Sequence, residues 1–278
     1  PNFMKKLKKH TINYIVKTFS HLPISRLYLF STLIRKINSF FFKYRHNTIT
    51  KNIKNSFKNE SHSKISKKFS VHFFNLIAEF IKSLSISKND ILERVQIKNI
   101  NEIEKQIKNE KNIVFITSHF CNWEWLFLRI SLIKNIFLFG IYQEQSSKVF
   151  EFIINKSRTR FGGNLVSTNN LKNFLFKKKQ RKTLFFVSDQ LPPKNNRGLK
   201  INFLGQSTVF NKIPERVSKL TKSVVFYIEM LETKRGHYSI EFKQIKSTNI
   251  TKIYANLLEE TVGKQPEKWL WSHKRWKR

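Results

Sequence analysis

The chain of 278 residues has a single cysteine, Cys121. No disulfide can form within it and no zinc site can be built from cysteine pairs, which fits a reducing, cytoplasmic-side setting. Acidic residues are scarce: 18 Asp and Glu stand against 53 Lys and Arg, a formal net charge of +35. Such an imbalance implies a polyanionic partner, whether nucleic acid, an anionic membrane face or an acidic protein. The cations run along the whole chain, so this is not a basic tail on a neutral domain. There is no long apolar run. The longest stretch without Asp, Glu, Lys or Arg is twelve residues, Asn112 to Trp123, short of a membrane-spanning helix. No cleavable signal peptide is expected, because the residues after Lys5, Lys6, Lys8 and Lys9 are interrupted by Lys17, Pro23 and Arg26. The G-x-S-x-G elbow, the P-loop, G-x-G-x-x-G and H-E-x-x-H are all missing, which disfavours a serine hydrolase, an NTPase, a dinucleotide enzyme and a zincin.

What is present is a sizeable apolar and aromatic content, 40% hydrophobic and 14% aromatic with 27 Phe, enough for a folded core. Residues 1–45 read as a basic, apolar leader. In it Leu27, Phe30, Ile34, Ile37 and Phe41 repeat at helical spacing beside Arg26, Arg35, Lys36 and Lys43, the pattern of an amphipathic membrane anchor. A second amphipathic helix is marked by Ile65, Phe69, Phe73, Leu76, Phe80 and Leu84. Beyond residue 90, apolar strands expected at 112–118, 136–142, 183–188, 201–203, 224–229 and 238–242 alternate with helices near 101–109, 123–134, 147–160, 169–180, 212–220 and 248–263. The expected fold is α/β: a mixed, largely parallel central sheet flanked by helices, with an N-terminal helical leader. Residues 46–278 would form one catalytic domain behind that leader.

The most informative stretch is His119-Phe-Cys-Asn-Trp-Glu124. It joins a buried strand to a helix with Asn122 as N-cap, at the sheet edge where α/β proteins bind ligands. The pair suggests general-base catalysis, with His119 taking a hydroxyl proton and Glu124 orienting the imidazole. A loop histidine and a helix-dipole glutamate are the bland alternative. Cys121 between them reads better as a small residue in a tight turn than as a nucleophile. Arg158 and Arg160 precede Gly162-Gly163 and could grip a phosphate or carboxylate. Asp189, after a second apolar strand, could hold Arg158 or His119, bind substrate, or merely form an Asx turn. Gln190 and Arg197 lie just beyond it. Lys177–Lys182 reads as a solvated helix end. The Trp269–Arg278 segment interleaves aromatics with cations, suited to base stacking or a lipid interface.

Together these residues resemble the lipid A late (secondary) acyltransferases of the lysophospholipid acyltransferase superfamily. His-x-x-x-x-Glu follows an apolar strand, Arg precedes a glycine turn, Asp-Gln follows the next apolar strand, then come Arg-Gly and Phe-x-Gly. The ending Pro266-Glu-Lys-Trp-Leu-Trp-Ser-His-Lys-Arg-Trp-Lys277 is similar to the family's C-terminus. Cys121 stands where close relatives usually have glycine. The resemblance implies an acyl thioester donor, on acyl carrier protein or coenzyme A, and a hydroxyl acceptor on an anionic lipid A precursor. It implies His119 as base with Glu124 as partner, and functional roles for Arg158 and Asp189. Asn122, Arg160, Gln190 and Arg197 are the further candidates for substrate contact. No metal or cofactor is expected, and the location implied is the cytoplasmic face of the bacterial inner membrane. The alternatives are a basic nucleic-acid-binding protein, or a transferase using an amino-acid-linked or lysophospholipid acceptor.

Overall fold

Ile113–Thr117 has four β-branched residues and no charge, and every side chain in it is buried. A strand of that kind must be covered on both faces. In the computed structural model it lies at the centre of a seven-stranded sheet. The structure describes residues 2–58, 62–176, 181–193 and 198–277.

In chain order the helices are α1 (Asn2–Ser20), α2 (Ile24–Ile37), α3 (His46–Ser56), α4 (His62–Lys82), α5 (Lys88–Arg94), α6 (Ile100–Lys108), α7 (Trp123–Ser131), α8 (Lys148–Arg158), α9 (Leu171–Phe176), α10 (Ile213–Leu220) and α11 (Ile250–Lys264). The strands are β1 (Val95–Ile97), β2 (Ile113–Thr117), β3 (Leu138–Tyr142), β4 (Asn164–Ser167), β5 (Thr183–Val187), β6 (Leu199–Phe203), β7 (Gln206–Phe210), β8 (Val224–Lys234) and β9 (His237–Gln244). The large sheet has the order β1-β9-β8-β2-β5-β3-β4. All its neighbours are parallel except the β8–β9 hairpin. β6 and β7 form a separate antiparallel pair. This is the mixed, largely parallel α/β architecture that the alternation of apolar runs implies.

α7 is buried along almost its whole length, from Glu124 to Ile130, as a helix apolar on nearly every side must be. The chain comes close to it at Gly163, where a Cβ would lie 2.6 Å from Phe127 and 2.7 Å from Ser131 Oγ. Only glycine lets the turn after α8 approach so closely.

The leader is two helices and a π-helical turn, Asn38–Phe42, rather than one continuous helix, because Pro23 lacks the N–H and restricts the residue before it. Leu27 and Tyr28 of α2 pack with Ala78 of α4 in a small cluster of their own. Phe30, Ile34, Ile37 and Phe41, grouped with Leu27 by spacing, are exposed instead. No helix among the described residues is long and apolar enough to cross a membrane.

Three strands and a helix have no counterpart in the sequence reading: β1, β4, β7 and α5. β1 is three residues long, and β4 and β7 carry polar residues that dilute the apolar signal. α5 is short but carries a capping box, with Ser87 Oγ accepting from the Asp90 N–H at 3.0 Å. The helix expected at 169–180 is seen as Leu171–Phe176; residues 177–180 lie outside the described residues.

Candidate active site

β2 and β5 are parallel neighbours in which Thr117 pairs with Val187. The Ser188 N–H donates to the Thr117 carbonyl at 3.0 Å, extending the pairing one step. His119 and Asp189 each follow two residues after that last rung, so the two C-terminal strand ends place them face to face. His119 Nδ1 lies 2.7 Å from Asp189 Oδ1. The His119 backbone N–H donates to the same oxygen at 3.0 Å. Asp189 Oδ2 accepts from Trp269 Nε1 at 2.8 Å.

Asp189 is almost wholly buried. Burial pushes its carboxyl up, but its electrostatic attraction to the His119 ring and the hydrogen bonds from His119 and Trp269 outweigh this and hold it below the usual range. An ionised carboxylate only accepts, so Nδ1 carries the ring proton and Nε2 keeps its lone pair. Gln190 Nε2 stands 3.4 Å from that atom.

The expected pairing of His119 with Glu124 is therefore corrected. Glu124 is held in a two-pronged ion pair by Arg158, with Nε to Oε2 at 2.8 Å and Nη2 to Oε1 at 2.7 Å. It also accepts from Trp123 Nε1 at 3.0 Å. Burial would raise the Glu124 carboxyl, but Arg158 overcomes it and keeps it below its ordinary value. The reason lies in the backbone: residue 119 is in the loop, whereas residue 124 sits in the first turn of α7 and faces the end of α8. Trp123 fills the gap, its ring edge against the His119 imidazole with centroids 4.9 Å apart.

The turn itself is strained. Cys121 has φ 50°, the left-handed region where glycine is at ease. The thiol is fully buried and burial pushes it well up, so it has no thiolate character. The segment after α11 pins the turn. The Cys121 N–H donates to the Lys268 carbonyl and the Leu270 N–H to the His119 carbonyl, both at 3.0 Å. Trp269 and Trp271 are core residues, 2% and 0% exposed. They are not the stacking or lipid-facing platform that their alternation with lysine and arginine suggested.

Two cavities meet at His119. One, of about 270 Å³, runs between β3, β5 and α8 past Phe127, Tyr142 and Asn155. The other, of about 600 Å³, is walled by Phe73, Leu76, Ile77 and Phe80 of α4 with Phe150, and closed by Tyr44, Arg45 and His273. Both share His119, Trp123, Arg158 and Gln190. His273 was not singled out by sequence; burial lowers its imidazole to about 4, so it is neutral near pH 7.

The remaining candidates divide. Gln190 and Arg158 line both cavities. Asn122 is buried with both side-chain polar atoms engaged, Oδ1 by the Trp125 N–H at 2.9 Å and Nδ2 by Glu79 at 2.6 Å. Arg160 turns away to the Ser83 carbonyl at 2.6 Å and stacks on Phe161. Arg197 lies outside the described residues, as does most of the lysine-rich run before β5. Of that run, Arg181 donates to the carbonyls of Ile107 and Asn135.

A strand-end histidine with a fixed tautomer, a carboxylate behind it and a buried glutamate paired with a half-buried arginine beside it occur in a chain that a family pattern covers over residues 7–278, that of the bacterial lipid A biosynthesis acyltransferases. The chain belongs to that family. It is an acyltransferase, acting with an acyl donor and a lipid acceptor in lipid A biosynthesis. No curated protein matches the chain. The acyltransferase thus carries its family's pattern through the leader as well as the sheet, since the match begins inside α1.

Proposed function

We propose that this acyltransferase moves a fatty acyl chain from a thioester, on acyl carrier protein or coenzyme A, to a hydroxyl of a lipid A precursor. The observation that carries the reading is the position of His119: its Nδ1 is fixed by Asp189, and the residue borders both cavities. Nε2 takes the proton of the acceptor hydroxyl as the oxygen attacks the thioester carbonyl. The new C–O bond gives a tetrahedral oxyanion. Collapse breaks the C–S bond, and the imidazolium returns its proton to the departing thiolate. Asp189 steadies the imidazolium. Glu124 acts through Arg158. Two guanidinium nitrogens are bound to the carboxylate, and among the described residues Nη1 has no hydrogen-bond partner. That group can meet the oxyanion.

The large cavity has an apolar wall on α4, with Ile77 and Phe150 partly open to solvent. On the leader, Leu29, Phe30, Leu33, Ile34, Phe40 and Phe41 are exposed near Arg26, Lys36 and Lys43. Those two features support a leader lying in an anionic lipid interface at the cytoplasmic face of the inner membrane. The nucleic-acid reading keeps its charge but loses its second motive, because Trp269 and Trp271 of its aromatic platform are in the core.

The deciding experiment uses membranes expressing wild type or His119→Ala, a pool of acyl-carrier-protein donors and a lipid A precursor, read by mass spectrometry. A product one acyl group heavier, lost in the variant, is expected. Equal product from the variant would refute the base. No product from wild type would move the acceptor to an amino-acid-linked or lysophospholipid hydroxyl.

A further inference from the structure

Glu79 of α4 is 1% exposed and its carboxylate receives three short hydrogen bonds from three parts of the chain. Tyr28 of the leader donates to Oε1 at 2.6 Å. Tyr238 of β9 and Asn122 of the catalytic turn donate to Oε2, each at 2.6 Å. The Glu79 carbonyl also accepts from Trp125 Nε1 at 3.1 Å. Burying a carboxylate without a cation on it is costly, and apolar replacements of buried charged groups are often no less stable. Burial indeed drives the Glu79 carboxyl above its usual range in spite of the three donors. Packing alone gives no reason for an acid here.

Its position gives one. Asn122 is three residues from His119 and caps the helix that carries Glu124. Its amide must point Oδ1 at the Trp125 N–H and Nδ2 at Glu79. A flipped amide would set oxygen against carboxylate. Glu79 therefore fixes the orientation of the cap, and with it the entry of α7.

We propose that Glu79 is a positioning residue for acyl transfer, and that Tyr28 of the leader completes its seat, so that docking of the leader is part of building the catalytic turn. This rests on the transferase reading above. Tyr28 is itself clamped. The Arg235 guanidinium lies 3.9 Å over its ring and is tied to Asn75 of α4 at 2.6 Å. At the hairpin tip Gly236 has φ 69°, and a Cβ there would fall 2.3 Å from Tyr28 Oη. The corner between α1 and α2 is fastened to the same helix, with Lys82 Nζ on the carbonyls of Ser20 and Leu22 at 3.1 and 3.0 Å. Tyr28 thus faces the protein while its neighbours Leu29 and Phe30 are exposed. The leader is two hydrogen bonds from the catalytic turn, through one carboxylate.

The test is steady-state kinetics of the full chain in membranes with Glu79→Gln and Tyr28→Phe, beside thermal unfolding and the membrane-bound fraction. A misplaced reacting group costs on the order of 100-fold, so Glu79→Gln should lose about that in kcat, and Tyr28→Phe roughly 3- to 10-fold. KM for donor and acceptor should stay within about twofold, the signature of an interaction that matters in the transition state. Tyr28→Phe should remain folded and membrane-bound. Unchanged kcat in folded variants, or a loss confined to KM, would overturn the proposal. Should Glu79→Gln not fold, Tyr28→Phe decides alone by the same criteria. Wild type without transfer to the lipid A precursor would instead refute that acceptor, an outcome that this comparison of variants with wild type keeps separate.

Discussion

Asp189 Oδ1 takes two hydrogen bonds from one residue, the ring Nδ1 and the backbone N–H of His119. With Trp269 on Oδ2, both oxygens must accept. An asparagine offers one acceptor and one donor, so either orientation sets N–H against N–H. Asp189→Asn should lower kcat by about 10³-fold or more through the lost tautomer. It should also destabilise the fold by about 1–3 kcal/mol through an unsatisfied donor. Rate measurement and denaturant unfolding on the same preparation check both.

Glu124 and Arg158 form a fork rather than a point contact. Glu124→Gln leaves a half-buried guanidinium without its counter-charge and should cost about 1–3 kcal/mol. Arg158→Lys cannot reproduce the two parallel bonds. A double-mutant cycle over these changes should show coupling of about 1–3 kcal/mol. Additive losses would mean that the pair does not act as a unit.

Cys121 is a conformational residue. Cys121→Ala should keep turnover within about twofold of wild type, and the buried thiol should resist alkylation in the folded protein. A β-branched side chain is far less tolerant of positive φ, so Cys121→Val should destabilise by about 1–2 kcal/mol or more. Thermal melts of the two variants should separate clearly.

How much of this was legible in sequence varies from residue to residue. The central strands were readable because burial on both faces demands an unbroken apolar run, as in β2 and β5. His119, Arg158 and Asp189 could be singled out as candidates because each stands at or just past the end of an element. Their partnerships were legible only in part: Asp189 holding His119 was one option among several, and Glu124 was assigned to His119 rather than to Arg158. The carboxylate nearest to His119 in sequence is Glu124, but the one nearest its ring is 70 positions away, and only sheet register brings it there. Trp269 misled for a related reason. Lys274 and Lys277 beside it are exposed while Trp271 and Arg275 are buried, a mixture that composition reads as surface.

Phe40 and Phe41 are 80% and 79% exposed. If the leader lies in a lipid interface, changing both to Ser removes most of their apolar contribution, roughly 2 kcal/mol in all or about 30-fold in partitioning. Co-sedimentation with anionic vesicles measures it. Equal binding of the variant would place the contact elsewhere.

Glu215 supplies a pH signature away from the site. Burial would raise its carboxyl, but the N–H and hydroxyl of Thr251 and the Lys219 ammonium draw it down from 4.5 to about 2. A depressed carboxyl stabilises the fold fully above its unfolded value and loses that contribution as pH falls through its folded value. The stability gap between wild type and Glu215→Gln should be flat at neutral pH and close progressively between about pH 4.5 and pH 2. A gap that persists into acid would contradict the assignment.

The rung joining Thr117 to Val187 has a consequence for how this enzyme can vary. Its base and the acid behind it are counted off from the sheet itself, two steps from a shared origin. Because strand side chains alternate sides, one residue added to or removed from the end of either strand would send one partner to the opposite face. At the ends of these two strands the protein can exchange side chains, but it cannot change the count.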